Sequence, residues 1–165
     1  MRKIIVIGCP GSGKSTFSRA LCKRTGLPLY HLDLMYWNED RTTVEKSVFR
    51  ERLSALLKKD EWIIDGNYAS TMEERIRACD TVFFLDYPSY VCLEGIEARI
   101  GKARSDMPWV ETEPDGEFIE YVKRFNEHQR PLIAELLGKY SDRDIYVFIS
   151  REQADEFLNN LCEKH

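Results

Sequence analysis

A glycine-rich segment near the start of the chain has the residue types that bind phosphate. It runs Gly8-Cys9-Pro10-Gly11-Ser12-Gly13-Lys14-Ser15, fits the template G-x-x-x-x-G-K-[ST] at every fixed position, and is followed by Thr16. The glycines let backbone N–H groups turn inward around phosphate oxygens, because no Cβ stands in the way. We call residues 8–15 the phosphate loop.

Two side chains of the phosphate loop add to what its backbone supplies. Lys14 would reach the outer phosphates as a point charge, and the Ser15 hydroxyl would bind Mg²⁺, whose other ligands are waters and phosphate oxygens. An ordinary glycine-rich turn is the alternative. The flanking pattern favours a site for ATP and Mg²⁺, since Lys3–Ile7 predicts a buried parallel strand and Ser15–Thr25 predicts a helix.

Two aspartates each follow a short apolar segment. Asp33 follows Leu29–Leu32, and Asp65 follows Trp62–Ile64. Ligands of open parallel sheets bind outside the carboxyl ends of the strands, so both carboxylates are expected to border the crevice. Asp65 is the candidate for the direct or second-sphere Mg²⁺ carboxylate. The alternative for each is an aspartate in a turn.

A basic cluster lies near residue 100. Arg99, Lys102 and Arg104 are expected to contact the phosphoryl group during transfer; a solvated helix end is the alternative. Residues 105–116 lack periodicity and contain two prolines, which indicates a mobile connection. We name residues 100–118 the lid segment. Arg124 and Arg130 could add to the contacts with phosphate, and an exposed position on one side of a helix is the alternative for each.

Strands and helices alternate along the chain, which predicts an α/β domain with a parallel sheet and right-handed crossovers. Capping-box patterns at Thr42–Glu45, Ser70–Glu73 and Ser150–Gln153 predict helix starts, and Arg130-Pro131 predicts a break between two helices. The last helix is expected to run to about Glu163. The predicted strands are Lys3–Ile7, Leu29–Leu32, Trp62–Ile64, Thr81–Asp86 and Asp144–Ile149.

Composition narrows the class of protein. A chain of 165 residues is one domain by length, and 43% hydrophobic with 32% charged residues is typical of a globular protein. No apolar run has the roughly 20 residues of a membrane span, so we expect a cytoplasmic protein. We also expect a monomer or weak dimer. The net charge of −4 disfavours nucleic acid as a partner. The five cysteines are scattered singly, which favours neither a disulfide framework nor a zinc site.

Several longer segments resemble the adenylate-kinase-like small kinases, and among these most of all the DNA topology modulation proteins. The resemblance implies a three-layer P-loop NTPase fold of the small-molecule kinase type with a five-stranded parallel sheet in the order 2-3-1-4-5. It implies a single kinase domain over 1–165, with a substrate-binding section at about 33–60 and a closing lid. The segments that carry it are residues 8–16, His31-Leu32-Asp33 with Trp37, residues 62–68, residues 84–88 and the Arg99 to Arg104 cluster.

The resemblance also implies roles for single residues. Arg99 matches a lid-base arginine that contacts phosphates, and Arg151 lies in a segment that resembles the one around adenine. Asp33 looks like the carboxylate of shikimate- and gluconate-type kinases that orients an acceptor hydroxyl. Gly95 stands where adenylate kinases carry another arginine, so the arginine for an AMP phosphate is missing from its usual place.

The resulting hypothesis is a Mg-ATP-dependent phosphotransferase that acts on a small acceptor, with Lys14, Asp33, Arg99 and Arg104 as catalytic residues. Two alternatives remain open. One is a nucleotide-binding regulator that contacts DNA or a protein partner, and the other is a plain ATPase.

Overall fold

The computed structural model describes residues 1–161, so Cys162 and the predicted helix end at Glu163 lie outside the described residues. Its centre is a five-stranded, all-parallel sheet with the strand order β2-β3-β1-β4-β5, which confirms the predicted order. The strands are β1 (Lys3–Gly8), β2 (Leu29–His31), β3 (Trp62–Asp65), β4 (Thr81–Leu85) and β5 (Asp144–Phe148).

Eight helices connect or follow these strands in the described range. They are α1 (Lys14–Thr25), α2 (Leu32–Tyr36), α3 (Lys46–Leu57), α4 (Ala69–Ala78), α5 (Ser89–Arg99), α6 (Gly116–His128), α7 (Arg130–Lys139) and α8 (Arg151–Asn160). Between residues 1 and 161, no helix combines the length and the apolar character needed to cross a membrane.

The sheet is buried because its central strands are apolar on both faces. Every residue of β3 and β4 is buried, and so is every residue of β1 after Lys3. Successive strand residues point to opposite faces, so helices must cover both sides. The sheet edge β5 is more exposed, with only Phe148 buried. This arrangement brings the carboxyl ends of β1, β2 and β3 to one edge.

Two of the predicted helix starts are wrong. Helix α3 begins at Lys46, and Thr42 instead lies in a turn, where its backbone N–H and its hydroxyl both donate to Asp40. This local side-chain turn competes with helix formation. Helix α4 begins at Ala69 after a left-handed Tyr68, so Ser70 lies inside the first turn.

Other boundaries agree with the sequence. The Ser150 side chain accepts a hydrogen bond from the Gln153 N–H and caps α8. Pro131 lies at the start of α7, where its missing N–H does no harm. Leu32 was expected at the end of the second strand, but it opens the short helix α2, which also contains Asp33 and Tyr36, and Trp37 follows the helix in an extended conformation.

Candidate functional site

A cavity of about 1070 Å³ lies at the carboxyl edge of the sheet. The phosphate loop, the loop after β3, α2, the end of α5 and the lid segment border it. Most of the predicted site residues line it: Pro10, Gly11, Gly13, Lys14, Ser15, Thr16, Asp33, Asp65, Arg99, Arg104 and Arg151. The side chains of Cys9 and Ser12 are buried beneath the loop.

The phosphate loop has the conformation and the surroundings of an anion site. Gly11 and Gly13 have φ of 82° and 90°, a region that favours glycine. A Cβ on Gly11 would lie 2.0 Å from the Cys92 carbonyl oxygen, so the loop also packs too closely on α5 for a side chain. Helix α1 has neither a side-chain cap nor an acidic residue in its first turn. The N-terminal residues of α1 border the cavity, so their uncapped N–H groups are available to a phosphate there.

Lys14 spans the phosphate loop. Its Nζ donates to the carbonyl oxygens of Gly8 at 2.9 Å and Cys9 at 3.2 Å. Burial lowers the pKa of Lys14, while the nearby Cys9, Asp65 and Asp33 act in the opposite direction. A phosphate in the cavity would supply the counter-charge that favours the ammonium form.

The Ser15 hydroxyl bonds a carboxylate that the sequence analysis missed. Its Oγ donates to Asp106 Oδ2 at 2.7 Å, and Arg104 lies 3.5 Å from the same carboxylate oxygen. Asp106 is 5% exposed. Its burial would raise the pKa of Asp106, but the Ser15 hydrogen bond and Arg104 outweigh it and the pKa is lowered. The sequence signal that could have identified Asp106 was its position in the lid segment, two residues after the predicted Arg104.

The two predicted lid arginines come together on one glutamate. Arg99 donates to both oxygens of Glu111, at 2.7 and 3.1 Å, and Arg104 lies 3.8 Å from it. The Gly101 N–H also donates to the Glu111 carbonyl, at 2.6 Å, which folds the lid segment back on itself. Burial and the neighbouring Arg104 lower the pKa of Arg99. A phosphoryl group could take the place of Glu111, since carboxylate and phosphate both suit a bidentate guanidinium.

Asp33 lies at the start of α2 and faces Tyr68. The Tyr68 hydroxyl donates to Asp33 Oδ1 at 2.5 Å. Burial raises the pKa of Asp33, and the Tyr68 hydrogen bond and Lys14 oppose that rise. Tyr68 packs edge-on against Tyr36, with ring centroids 5.1 Å apart, so its hydroxyl has a defined direction.

Asp65 borders the cavity but already has a partner. Both of its oxygens lie within 2.9 Å of His31 Nδ1, and Asp65 is 4% exposed. The pair joins the ends of β2 and β3, which are adjacent strands. No histidine was among the predicted site residues, although His31 directly precedes Leu32-Asp33.

Arg75 supports the loop between β3 and α4. It is completely buried and donates to the carbonyl oxygens of Gly66 at 2.9 Å, Tyr68 at 3.3 Å and Asn67. Burial lowers the pKa of Arg75 to about 10. Asn67 in turn accepts from the Gly8 N–H and donates to the Gly8 carbonyl. Arg75 therefore links the phosphate loop to the Tyr68 side of the cavity.

The remaining predicted arginines differ in their partners and in whether they border the cavity. Arg151 donates to the carbonyl oxygens of Gly11 and Ser12, so its guanidinium supports the phosphate loop while bordering the cavity. Arg130 pairs with Asp86 at 2.8 Å. Neither Arg130 nor Arg124 borders this cavity.

The donor set fits a nucleotide with its magnesium ion. Within residues 1–161, no cluster of three or more His, Cys, Asp or Glu side chains could hold a metal by itself. Magnesium usually needs only one or two protein ligands, because phosphates and waters complete its shell.

The four cysteines of the described chain, Cys9, Cys22, Cys79 and Cys92, are free thiols.

Comparisons with known proteins establish the fold. A shikimate kinase from Bacteroides thetaiotaomicron superposes with a TM-score of 0.59 at 19% identity, covering 96% of this chain and 94% of that one. A shikimate kinase from Acinetobacter baumannii, in complex with shikimate, gives 0.62 at 16% identity, covering 96% and 92%. The chain has the shikimate kinase fold. At these identities the likeness concerns the fold alone.

The sequence comparisons are narrower. No protein-family profile matches this chain. An adenylate kinase from Baumannia cicadellinicola subsp. Homalodisca coagulata is 34% identical over 87 residues, which is 51% of this chain and 39% of that protein. The match therefore spans about two fifths of the length of that curated relative.

Proposed function

We propose that the protein is a Mg-ATP-dependent phosphotransferase that transfers the γ-phosphoryl group to a small acceptor, either a nucleotide or a hydroxyl-bearing metabolite. One observation carries the proposal. The phosphate loop, the lid arginines and a partly enclosed carboxylate, Asp33, all border one cavity. The partial match to an adenylate kinase supports the same reaction class.

The residues divide the work of transfer between them. The loop N–H groups and Lys14 would hold the β- and γ-phosphates, and Arg99 and Arg104 would stabilise the charge on the migrating group. When bound, Mg-ATP supplies the phosphoryl group, and its Mg²⁺ would be held by Ser15 with a carboxylate, for which Asp65 is the sequence-based candidate. Closure of the lid segment would exclude water and so favour transfer over hydrolysis.

Asp33 is the group that would orient or deprotonate the acceptor hydroxyl. A general base works best when its pKa approaches the working pH, and burial shifts the pKa of Asp33 in that direction. A proton taken from the hydroxyl would be held on the carboxylate. The Tyr68 hydroxyl occupies one oxygen of Asp33, which leaves the other for the acceptor.

The test is a search for the acceptor. The protein is incubated with Mg-ATP and a panel of nucleoside monophosphates, nucleosides and small hydroxy acids, and mass spectrometry detects which compound gains a phosphoryl group. We expect one class of compound to be phosphorylated, and Lys14→Ala to abolish this while Lys23→Ala, an exposed lysine on the same helix, retains it. Full turnover by Lys14→Ala would contradict the proposal, and ADP release without a phosphorylated compound would favour the ATPase.

Three finer points stay predictions. They are the likeness to the DNA topology modulation proteins, the use of Mg²⁺, and the cytoplasmic location. The net charge of −4 has the wrong sign for a nucleic-acid surface, which disfavours a regulator that binds DNA. The plain ATPase is disfavoured because no residue of the sequence is marked as one that positions water.

A further inference from the structure

The lid segment carries a carboxylate into the phosphate loop. Asp106 Oδ2 lies 2.7 Å from Ser15 Oγ, although 91 residues separate the two in the chain. Only 7% of the Asp106 side chain is exposed. Within the lid segment, a nearly buried carboxylate therefore points at the one hydroxyl that the phosphate-loop motif reserves for Mg²⁺.

The spacing of these two oxygens suits two neighbouring ligands of one magnesium ion. Magnesium prefers octahedral geometry with bonds of 2.0–2.1 Å, so adjacent ligand oxygens lie about 2.9 Å apart. The Ser15 and Asp106 oxygens are already close to that separation. If the two oxygens moved apart by a few tenths of an ångström, one Mg²⁺ could bind both of them in place of their hydrogen bond.

Asp65 is less available for the same task. Both of its oxygens lie within hydrogen-bond distance of His31 Nδ1. A direct metal bond from Asp65 would compete with that contact. The hydrogen-bond partner of Asp106 is itself the expected metal ligand, and the second neighbour of Asp106, Arg104, lies farther away at 3.5 Å.

We propose that Asp106 is the carboxylate that joins Ser15 in holding the Mg²⁺ of bound Mg-ATP, so that metal binding and the position of the lid segment are coupled. The inference rests on the proposed function. It assigns a direct metal contact to a residue of the lid segment, and it leaves Asp65 with His31 as a support between adjacent strands.

The coupling has a structural route. Trp109, three residues after Asp106, packs edge-on against Trp37 across the cavity, with ring centroids 4.9 Å apart. Arg41 donates to the Val110 carbonyl from the same opposite wall. An ion that binds both Asp106 and Ser15 therefore also holds this part of the lid segment against the wall that contains Trp37.

The experiment measures the metal-dependent part of ATP binding without turnover. Isothermal titration calorimetry gives the dissociation constant of ATP in EDTA and in excess Mg²⁺, and electron paramagnetic resonance measures Mn²⁺ bound to the protein–ATP complex. The variants are Asp106→Asn, Asp106→Glu and Asp65→Asn. Glu117→Gln, an exposed carboxylate of the same lid segment that does not border the cavity, is the matched control.

We expect Asp106→Asn to bind metal-free ATP within about twofold of the wild type and to lose about tenfold in Mn²⁺ affinity, a loss typical of a weakened metal site. Asp106→Glu keeps a carboxylate and should recover part of this affinity, which separates metal binding from a general effect on folding. Glu117→Gln should match the wild type.

Two results would overturn the inference while leaving the kinase proposal intact. In one, Asp106→Asn keeps the full effect of Mg²⁺ and Asp65→Asn loses it. In the other, Asp106→Asn binds Mg-ATP more tightly, which would make Asp106 a competitor of the nucleotide. If the wild type binds no ATP under either condition, the proposed function itself fails.

Discussion

The hydroxyl of Tyr68 determines how readily Asp33 carries a negative charge. Its hydrogen bond lowers the pKa of Asp33 against the effect of burial, and the other charged groups that act on Asp33 are Lys14, Asp65 and Asp106. Since burial also raises the pKa of Tyr68 itself, the phenol stays protonated and remains the donor. Removing the Tyr68 hydroxyl oxygen should therefore change the pH dependence of any activity that needs ionised Asp33.

Tyr68→Phe should move the acid limb of the activity profile to higher pH. Asp33 accepts a proton only when it is ionised, and loss of the hydrogen bond raises its pKa further, so more of the enzyme is protonated and inactive at a given acidic pH. The measurement is kcat/KM against pH with the acceptor that the compound panel identifies. Tyr90→Phe, on an exposed ring, is the control. An unmoved acid limb for Tyr68→Phe would exclude Asp33 as the group that titrates.

At the residue scale, the sequence predicted the phosphate loop from one continuous motif, and it predicted the aspartates and lid arginines that border the same cavity from strand ends and a basic cluster. The phosphate loop could be found because its chemistry is written in eight successive residues. Asp106 and Tyr68 could not be assigned, since their partners Ser15 and Asp33 lie 91 and 35 residues away. Arg75 gave a weaker signal. It lies three residues after Met72 and directly before Ile76, on the buried face of α4, where an unpaired charge is unusual.

At the scale of elements, the phosphate loop and α5 approach each other through two glycines. A Cβ on Gly95 would lie 2.0 Å from the Gly11 carbonyl oxygen. Position 95 is where the resemblance to adenylate kinases would put an arginine, and the structure explains its absence here: the loop backbone occupies the space that any side chain would need. If the acceptor is a nucleotide, its phosphate must therefore bind a cation other than a side chain at position 95.

Gly95→Ala should push α5 away from the phosphate loop and weaken both stability and nucleotide binding. Overlap with backbone atoms is costly, and we expect a loss of about 1–3 kcal/mol in the free energy of unfolding, measured by urea denaturation. Gly138→Ala is the matched control, since Gly138 is also helical and a Cβ there would meet nothing within 4 Å. That variant should gain about 0.5–1 kcal/mol from helix propensity. Equal stability of the two variants would contradict the close packing.

Element boundaries show where local patterns are sufficient. The Ser150 cap was predicted correctly because its hydrogen bonds are local. The Gln153 N–H donates to the Ser150 side chain, and the Ile149 N–H donates to the Gln153 side-chain oxygen. At Ser70 the same pattern failed, since Arg75 binds the preceding carbonyls and places the helix start at Ala69. A capping pattern predicts a helix start only where no stronger partner determines the path of the loop before it.

At the scale of the whole molecule, the parallel sheet followed from the alternation of apolar strands and helices, and its strand order followed from the resemblance alone. The superposed shikimate kinases share the fold. The arrangement of the lid segment did not follow, because Ser105–Gly116 has no periodicity from which contacts can be inferred. Its position depends on ion pairs between residues that the sequence shows only as a mixed-charge segment, such as Arg99 with Glu111.

Mg-ATP should stabilise the whole fold, because the phosphate loop joins the central strand β1 to α1 and touches α5. A ligand that binds only the native state at one hundred times its dissociation constant adds about 2.7 kcal/mol. For a domain of this size that corresponds to a rise of about 5–10 °C in Tm. We expect this rise in differential scanning calorimetry with a non-hydrolysable ATP analogue and Mg²⁺, and we expect Lys14→Ala to show little of it while Lys23→Ala shows all of it. Because the readout needs no acceptor, a wild-type Tm that ignores the nucleotide would reject ATP binding itself, whereas a normal rise without any phosphorylated product would leave the acceptor as the missing component.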